Sequence, residues 1–233
     1  MFVYGKNVAR DLLSGNNSIK EVFLQENFND KEIIDLLKIK NIPIKYRTKK
    51  QIDDLCGGLN QGIILSIPDY QYNNLNSIIN SNNDDVIVIL DHIEDPHNLG
   101  AIIRTCEAAG IRSIILSKNR QVQVNATVMK TSVGTLQNIN LVSVSSIANC
   151  IDTLKENGYW IVGTSLKNSI DYRDVDYSSK IAIVIGNEGS GISKLVEKKC
   201  DFLVKIPMYG KTNSLNASVA AGIMIYEVIR NRK

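Results

Sequence analysis

The sequence lacks the features that mark exported, membrane-spanning and zinc-binding proteins. Its four cysteines lie at positions 56, 106, 150 and 200 with no CxxC pair among them, which argues against a zinc ribbon. No apolar run approaches the roughly 20 residues of a membrane helix, and the opening MFVYGKNVARDLL contains no signal-peptide core. We therefore expect a cytoplasmic protein that keeps its thiols reduced and has no membrane contact.

The chain also has little net charge. Its 27 basic and 24 acidic residues leave a formal charge of +3, which permits a polyanionic partner without requiring one. With 233 residues, 44% of them hydrophobic and 22% charged, the composition is that of a globular protein. It excludes a disordered, collagen-like or disulfide-stapled chain, and no repeat of solenoid period is present.

Residues 1–67 alternate short strand and helix patterns. Strands are predicted at residues 19–24, 42–46 and 61–65, and helices at residues 31–38 and 49–55. Residues 68–83 are polar and rich in asparagine, which indicates a linker. The sequence therefore predicts a small N-terminal α/β domain over residues 1–67, followed by a linker over 68–83.

From residue 84 to residue 233 the pattern is that of a larger α/β domain. Continuous apolar runs, typical of strands buried on both faces, occur at residues 85–90, 113–116, 139–144, 159–163, 181–185 and 202–206. Helical patterns lie between most of these runs. This alternation predicts a mainly parallel sheet.

Two helices of this larger domain suggest where function lies. The first is predicted over residues 98–109 and ends at Gly110. Arg104 lies roughly 140° from Leu99 on its apolar stripe, so this arginine is available to solvent, a ligand or another chain. The second begins near Asn216, and residues 217–226 are apolar on nearly all sides, which indicates a subunit interface.

Three polar loops follow buried strands, where open α/β sheets bind their ligands. The first, residues 91–100, reads DHIEDPHNLG. It contains two histidines but no obvious third ligand, so a metal site is not expected. Asn98 in this loop could also be a plain helix N-cap.

The other two loops resemble nucleotide-binding motifs without matching them. Residues 186–191, GNEGSG, have the order G-x-x-G-x-G rather than the dinucleotide order G-x-G-x-x-G, and could form a plain tight turn. Residues 206–216 contain Gly-Lys-Thr, but Lys205 occupies the position of the first glycine of a phosphate-binding loop. An ordinary Rossmann enzyme is therefore disfavoured, and Ser214 or Asn216 could simply cap the next helix.

Taken together, the three loops resemble the motifs of the SpoU family, the RNA ribose 2′-O-methyltransferases of the SPOUT superfamily. The resemblance covers residues 84–233, through DPHNLGAIIRTCEAAG, IVIGNEGSGIS and IPMYGKTNSLNASVAAGIMIYEV in this order. Residues 1–67 are similar to the L30e-like substrate-binding domain of the ribosomal-RNA members, through YGKNV at 4–8 and NQGI at 60–63. Asn60 stands where the family often has histidine.

This resemblance implies a deep trefoil knot, a homodimer formed through the C-terminal helix and knot region, and S-adenosyl-L-methionine as methyl donor without a metal. The implied cofactor-binding residues are Thr164, Gly186, Asn187, Ile206, Met208 and Leu215. The implied catalytic residues are Arg104, Asn98, Glu188, Ser214 and Asn216.

The resemblance makes Arg104 the central catalytic residue, and its chemical role stays open at this point. Family proposals make the arginine the general base, but a guanidinium group is normally protonated. Arg104 could equally hold an RNA phosphate or stabilise the forming alkoxide. Asn98 and Asn216 are expected to position the ribose and Arg104, Glu188 to hold Arg104 or the loops, and Ser214 to place the reacting groups.

The substrate that the resemblance favours is ribosomal RNA, specifically a guanosine of 23S rRNA, because tRNA members commonly carry short helical extensions instead of the N-terminal domain. The alternatives are a tRNA 2′-O-methyltransferase and a non-catalytic RNA-binding module of the same fold. Some basic side chains are either ordinary solvated charges or anchors for structured RNA. These are Lys45, Arg47, Lys49, Lys50, Lys118 and Arg120.

Overall fold

A computed structural model describes residues 1–15, 17–56, 60–79, 85–132 and 134–232 of the chain. These residues divide into two compact units. The first unit comprises Met1–Gln71 together with Val124–Gly134, and the second comprises Tyr72–Gln123 together with Thr135–Lys233.

The first unit is a four-stranded sheet with helices on both faces. Its elements begin with β1 (Phe2–Tyr4), α1 (Lys6–Ser14), β2 (Glu21–Gln25), α2 (Lys31–Ile39), β3 (Ile44–Arg47), α3 (Lys49–Cys56) and β4 (Ile63–Ser66). The strand order is β1-β4-β2-β3, with β2 and β3 parallel and the other pairs antiparallel. Because side chains alternate along a strand, Val22 and Leu24 of β2 pack with α1 and α2, whereas Phe23 packs with α3.

The second unit contains the mainly parallel sheet that the apolar runs predict. Its helices are α4 (Leu75–Ile79), α5 (Pro96–Ala108), α7 (Ile147–Glu156), α8 (Lys194–Glu197) and α9 (Ala217–Arg230), and helix α6 (Ala126–Ser132) belongs to the first unit. Its strands are β5 (Val86–Asp91), β6 (Ser113–Ser117), β7 (Asn140–Val144), β8 (Trp160–Thr164), β9 (Ile170–Asp171), β10 (Ile181–Gly186) and β11 (Phe202–Lys205). They pair in the order β7-β6-β5-β10-β8-β11-β9, and each described pair is parallel. The predicted α/β class is confirmed.

Helix α6 separates from the strands that flank it in the sequence. Ala126 and Met129 pack against the core of the first unit, which includes Val3, Leu13 and Leu65. The prediction of one uninterrupted domain over residues 84–233 therefore differs from the division in the structure. A seven-residue helix presents the same short apolar pattern whichever core it joins, so its packing partner could not be predicted from local pattern.

The segment predicted as a linker, residues 68–83, is partly built into the second unit. The backbone N–H of Asn73 donates to the carbonyl of Leu141 at 2.7 Å, and α4 buries Ile78 and Ile79 in the core of that unit. These isoleucines are hidden among asparagines in the sequence, which is why composition indicated a linker. Residues 80–83 lie outside the described residues.

The centre of the larger sheet provides a rigid base for the loops that follow its strands. All six residues of β5 and all six of β10 are buried, and β5 lies beside β10 in register, with Asp91 opposite Gly186. In the described segments no helix has the length and apolar character needed to cross a membrane. All four cysteines lie in described segments and none forms a disulfide bond; burial raises the pKa of Cys150 to about 12.

Candidate active site

Helix α5 starts two residues before its predicted beginning, and this places Asn98 inside the helix. The helix is capped by Asp95, whose carboxylate accepts the backbone N–H of His97 at 2.9 Å, and Pro96 occupies the first helical position. The alternative that Asn98 is a plain N-cap is therefore wrong. Asn98 is only 6% exposed, so its side chain needs hydrogen-bond partners within the protein.

Those partners come from the other two predicted loops. The amide nitrogen of Asn98 donates to a carboxylate oxygen of Glu188, and the Asn98 amide oxygen accepts from Asn216 Nδ2 at 2.9 Å. Asn216 also caps α9, because its Oδ1 accepts the backbone N–H groups of Ser218 and Val219. The cap and the network thus use different atoms of the same amide. Three side chains predicted from separate loops form one connected cluster.

The glycine-rich loop that carries Glu188 is a tight turn with no space for additional atoms at its start. Asn187 and Gly191 pair as an antiparallel bridge, with backbone N–H to carbonyl distances of 3.2 and 2.9 Å. A Cβ at Gly186 would lie 2.2 Å from the carbonyl carbon of Gly191, closer than any side chain can approach. Only glycine fits at position 186 in this backbone.

Asn187 connects this turn to the first loop. Its Nδ2 donates to the carbonyl of His92 at 3.1 Å, and its Oδ1 accepts the backbone N–H of Gly189 at 2.9 Å. His92 has a φ of +67°, a left-handed conformation that turns the chain sharply at the end of β5. The side chain of Asn187 therefore holds two of the three loops together.

Sequence reasoning missed one residue that contributes to the same arrangement. Asp91 is fully buried, and its Oδ2 accepts the backbone N–H of Ser193 at 2.6 Å. Its Oδ1 lies 2.5 Å from Nδ1 of His92. A sequence signal for Asp91 exists, because a carboxylate at the end of a buried apolar strand needs hydrogen-bond partners. The polar residues that follow it in the loop obscure this signal.

Arg104 is exposed on α5, as its angular position predicts. It makes no hydrogen bond or ion pair with any residue that the structure describes, while Leu99, Ile102 and Cys106 of the same helix are fully buried. Ser214 is exposed and likewise forms no hydrogen bond within the described part of the chain. These two predicted residues are not joined to the cluster of Asn98, Glu188 and Asn216.

The predicted cofactor-binding residues lie along one edge of the sheet. Thr164 ends β8 and donates its hydroxyl to the carbonyl of Val184 at 3.1 Å, Gly186 ends β10, and Ile206 follows β11. These three strands are neighbours, so their carboxyl ends meet at the place where ligands bind in such sheets. Asn187 follows directly, and Leu215 is half-buried.

A pocket opens beside the third loop. It has a volume of about 490 Å³, which is within the range for small-molecule sites. Ile206, Pro207, Met208 and Leu166 contribute an apolar lining, and Lys205 and Thr212 contribute polar groups. Two of the six predicted cofactor residues, Ile206 and Met208, thus line the same open cavity.

An ion pair lies at the outer edge of the sheet. Arg173 donates to both carboxylate oxygens of Asp171, at 2.8 and 2.7 Å. The hydrogen bonds from Arg173 lower the pKa of Asp171 to about 2. Among the described residues no group of three metal-ligating side chains is present.

Two family profiles and several relatives match this chain. A sequence profile of RNA 2′-O ribose methyltransferase substrate-binding domains matches residues 2–73, and a profile of the SpoU rRNA Methylase family matches residues 85–226. A Staphylococcus saprophyticus protein, assigned by name to the TrmH family of tRNA/rRNA methyltransferases, is 41% identical. The match covers 99% of this chain and 95% of that protein.

Solved structures extend the comparison to the fold. The SpoU methyltransferase AviRb from Streptomyces viridochromogenes has a TM-score of 0.82 at 24% identity, covering 100% of this chain and 89% of that chain. An AdoMet-bound rRNA methyltransferase from Sinorhizobium meliloti has a TM-score of 0.80 at 26% identity, covering 98% and 86%. The A. aeolicus TrmH/SpoU tRNA modifying enzyme has a TM-score of 0.59 at 32% identity, covering 67% and 80%.

The two profile matches, together with relatives of about 40% identity along nearly the whole chain, identify an RNA methyltransferase. The matching profiles together span most of the chain. The chain belongs to the SpoU family of RNA 2′-O-methyltransferases.

Proposed function

We propose that this protein transfers the methyl group of S-adenosyl-L-methionine to a ribose 2′-hydroxyl of ribosomal RNA, most specifically of a guanosine in 23S rRNA. The observation that carries the proposal is the hydrogen-bonded cluster of Asn98, Glu188 and Asn216, which unites the three family motifs. A plain RNA-binding module would have no need for this part-buried network.

Several features of the second unit suit the cofactor. The apolar wall of Ile206 and Met208 can flank an adenine ring, and the backbone near Gly186 and Asn187 can contact the polar edge of the cofactor. Bound there, the cofactor supplies an electrophilic methyl group on a sulfonium. Leu215 and Thr164 would complete the site from neighbouring segments.

The chain's own contribution to the reaction is mainly orientation and charge. Asn98 and Asn216 position the ribose, and Glu188 fixes the orientation of the Asn98 amide, whose second N–H is not used within the cluster. Arg104 supplies a positive charge that stabilises the oxygen of the forming alkoxide. Ser214 contacts the reacting groups once RNA is bound.

The comparisons favour ribosomal RNA over tRNA as substrate. The rRNA enzyme from S. meliloti corresponds to this chain over 98% of its length, whereas the tRNA enzyme from A. aeolicus corresponds over 67%. The difference in coverage is about the size of the first unit, which the substrate-binding profile matches.

We also infer a homodimer that forms through α9, and a trefoil knot in the segment that carries the second and third loops. Val219 and Tyr226 are 49% and 54% exposed and lie seven residues apart on one face of α9, so they form an apolar stripe that a second subunit can cover. Replacing Val219 with aspartate is expected to convert a dimer to a monomer in light scattering. An unchanged mass would contradict this interface.

The first experiment is methyl transfer from labelled S-adenosylmethionine to unmodified 23S rRNA and, separately, to total tRNA. Label at a single ribose of 23S rRNA is expected. Label in tRNA alone would overturn the substrate but keep the chemistry. Cofactor binding without any label would point to an assembly intermediate as substrate, and the absence of both would favour the non-catalytic RNA-binding module.

Arg104 provides the sharpest single test of the chemistry. Its substitution by alanine is expected to reduce methyl transfer at least 100-fold and to leave cofactor binding unchanged, because this side chain has no partner among the described residues whose loss could disturb the fold. Arg112→Ala is the matched control, since Arg112 is also exposed but precedes the amino end of β6. Equal activity of the two variants would contradict a catalytic role.

A further inference from the structure

The sheet of the first unit has one face that its helices cover incompletely. Short helix α3 packs over Phe23 and Ile64, while α1 and α2 cover the opposite face. On the partly open face, the register places Phe23 beside Lys45 and Gln25 beside Arg47 across the β2–β3 pair. We name the set Phe2, Phe23, Lys45 and Arg47 the sheet-face patch.

The aromatic rings and the cationic groups of this patch contact one another through Phe23. The rings of Phe2 and Phe23 meet edge to face, with their centroids 5.9 Å apart. Lys45 Nζ and the Arg47 guanidinium each lie 5.8 Å from the centre of the Phe23 ring. Phe23 itself is buried, so its ring serves as a base on which both cations are held.

The outer groups of the patch are open to a partner. Phe2 is 41% exposed. Lys45 pairs with Glu21, but Arg47 has no acidic partner among the described residues and is bonded only to the carbonyl of Tyr46 at 3.0 Å. The patch therefore presents an open aromatic ring on one edge strand of the sheet and, on the other edge strand, a cation whose charge is not neutralised.

We propose that the sheet-face patch binds an unpaired stretch of the RNA substrate, with a base stacked on Phe2 and phosphates held by Arg47 and Lys45. Exposed aromatic rings beside cations suit single-stranded RNA, because every base has a stacking face and every nucleotide carries a negative charge. A peptide or a second copy of this chain offers less charge complementarity. The proposal rests on the RNA substrate proposed above.

Two variants and one matched control test the patch in the full-length protein. Phe2→Leu keeps an apolar side chain against Phe23 but removes the ring, and Arg47→Ala removes the cation at the sheet edge. Lys38→Ala is the control, because Lys38 is exposed on α2, which covers the opposite face of the same sheet. Unchanged thermal unfolding verifies that each variant is folded.

Binding is measured with a labelled RNA hairpin that has an unpaired loop and with the corresponding blunt duplex. Phe2→Leu is expected to weaken hairpin binding at least about fivefold and duplex binding hardly at all, because only unstacked bases can stack on the ring. Arg47→Ala is expected to lower the slope of log K against log salt by about one for both probes. Lys38→Ala should match the wild type.

The outcomes separate this proposal from the proposed function. If the wild type binds and methylates RNA but both patch variants behave like Lys38→Ala, the patch is overturned and the function stands. If the variants change the oligomeric state instead of RNA affinity, the face is a contact between copies of the chain and the proposal is wrong. If the wild type binds neither probe but methylates 23S rRNA, the patch is overturned and the function stands. If it neither binds nor methylates RNA, both proposals fail.

Discussion

At the scale of single residues, the site depends on a position where the backbone has room for glycine alone. Gly186 ends β10 in a buried environment, and its α-carbon faces the backbone of Gly191 across the tight turn. The sequence predicted that the loop is glycine-rich and functional. It could not predict which glycine lacks space for a side chain, because that depends on how the turn closes on itself.

Gly186→Ala is therefore expected to abolish S-adenosylmethionine binding and to lower the melting temperature, since either Gly191 or β10 must move to admit the new methyl group. Calorimetric titration with the cofactor and thermal unfolding measure the two effects. Gly189→Ala is the control in the same loop, because the nearest atom to its added Cβ is 3.5 Å away. Similar losses in both variants would show that the turn is sensitive to any substitution.

At the scale of elements, burial on both faces made the central strands predictable. The runs at 113–116 and 181–185 each fall within one residue of the observed β6 and β10, because a fully apolar run can only be placed inside the sheet. The start of α5 was harder to predict, because Asp95 and Pro96 form the N-cap and the first helical position within a sequence that resembles a loop. The contact between Asn98 and Asn216 joins positions 118 residues apart and could not follow from local pattern.

The three-residue cluster allows a charge-swap test of how these elements are joined. Asn98→Asp would place a carboxylate against Glu188, and the repulsion is expected to lower kcat at least about tenfold, which corresponds to roughly 1.4 kcal/mol. Adding Glu188→Gln restores a donor to the new carboxylate, so the double variant should recover most of the loss. Steady-state methyl transfer measures all three proteins.

Two results would contradict the positional role of the cluster. If Glu188→Gln alone is as inactive as Asn98→Asp, the negative charge of Glu188 is itself required. If the double variant remains as impaired as Asn98→Asp, the two side chains do not act through their hydrogen bond. Cofactor affinity, measured in parallel, separates a displaced loop from a misplaced ribose.

At the scale of the whole molecule, the division into units does not follow the order of the chain. The substrate-binding profile ends at residue 73, yet the first unit also includes Val124–Gly134. Long-range packing decided this, because Ala126 and Met129 join a core whose other members lie before residue 70. The two-domain organisation could be predicted from the sequence, but the membership of α6 in the first unit could not.

Met129→Ala is consequently expected to destabilise the first unit although the methyltransferase profile includes this position. Loss of a half-buried side chain should cost about 1–2 kcal/mol, and hydrogen exchange should accelerate in β1 and α1 while β5 and β10 stay protected. Leu203→Ala is the matched control, because Leu203 is also half-buried but packs against the core of the second unit. It should reverse the pattern, accelerating exchange near β8 and β11. Faster exchange in the second unit after Met129→Ala would show that α6 belongs to the methyltransferase core after all.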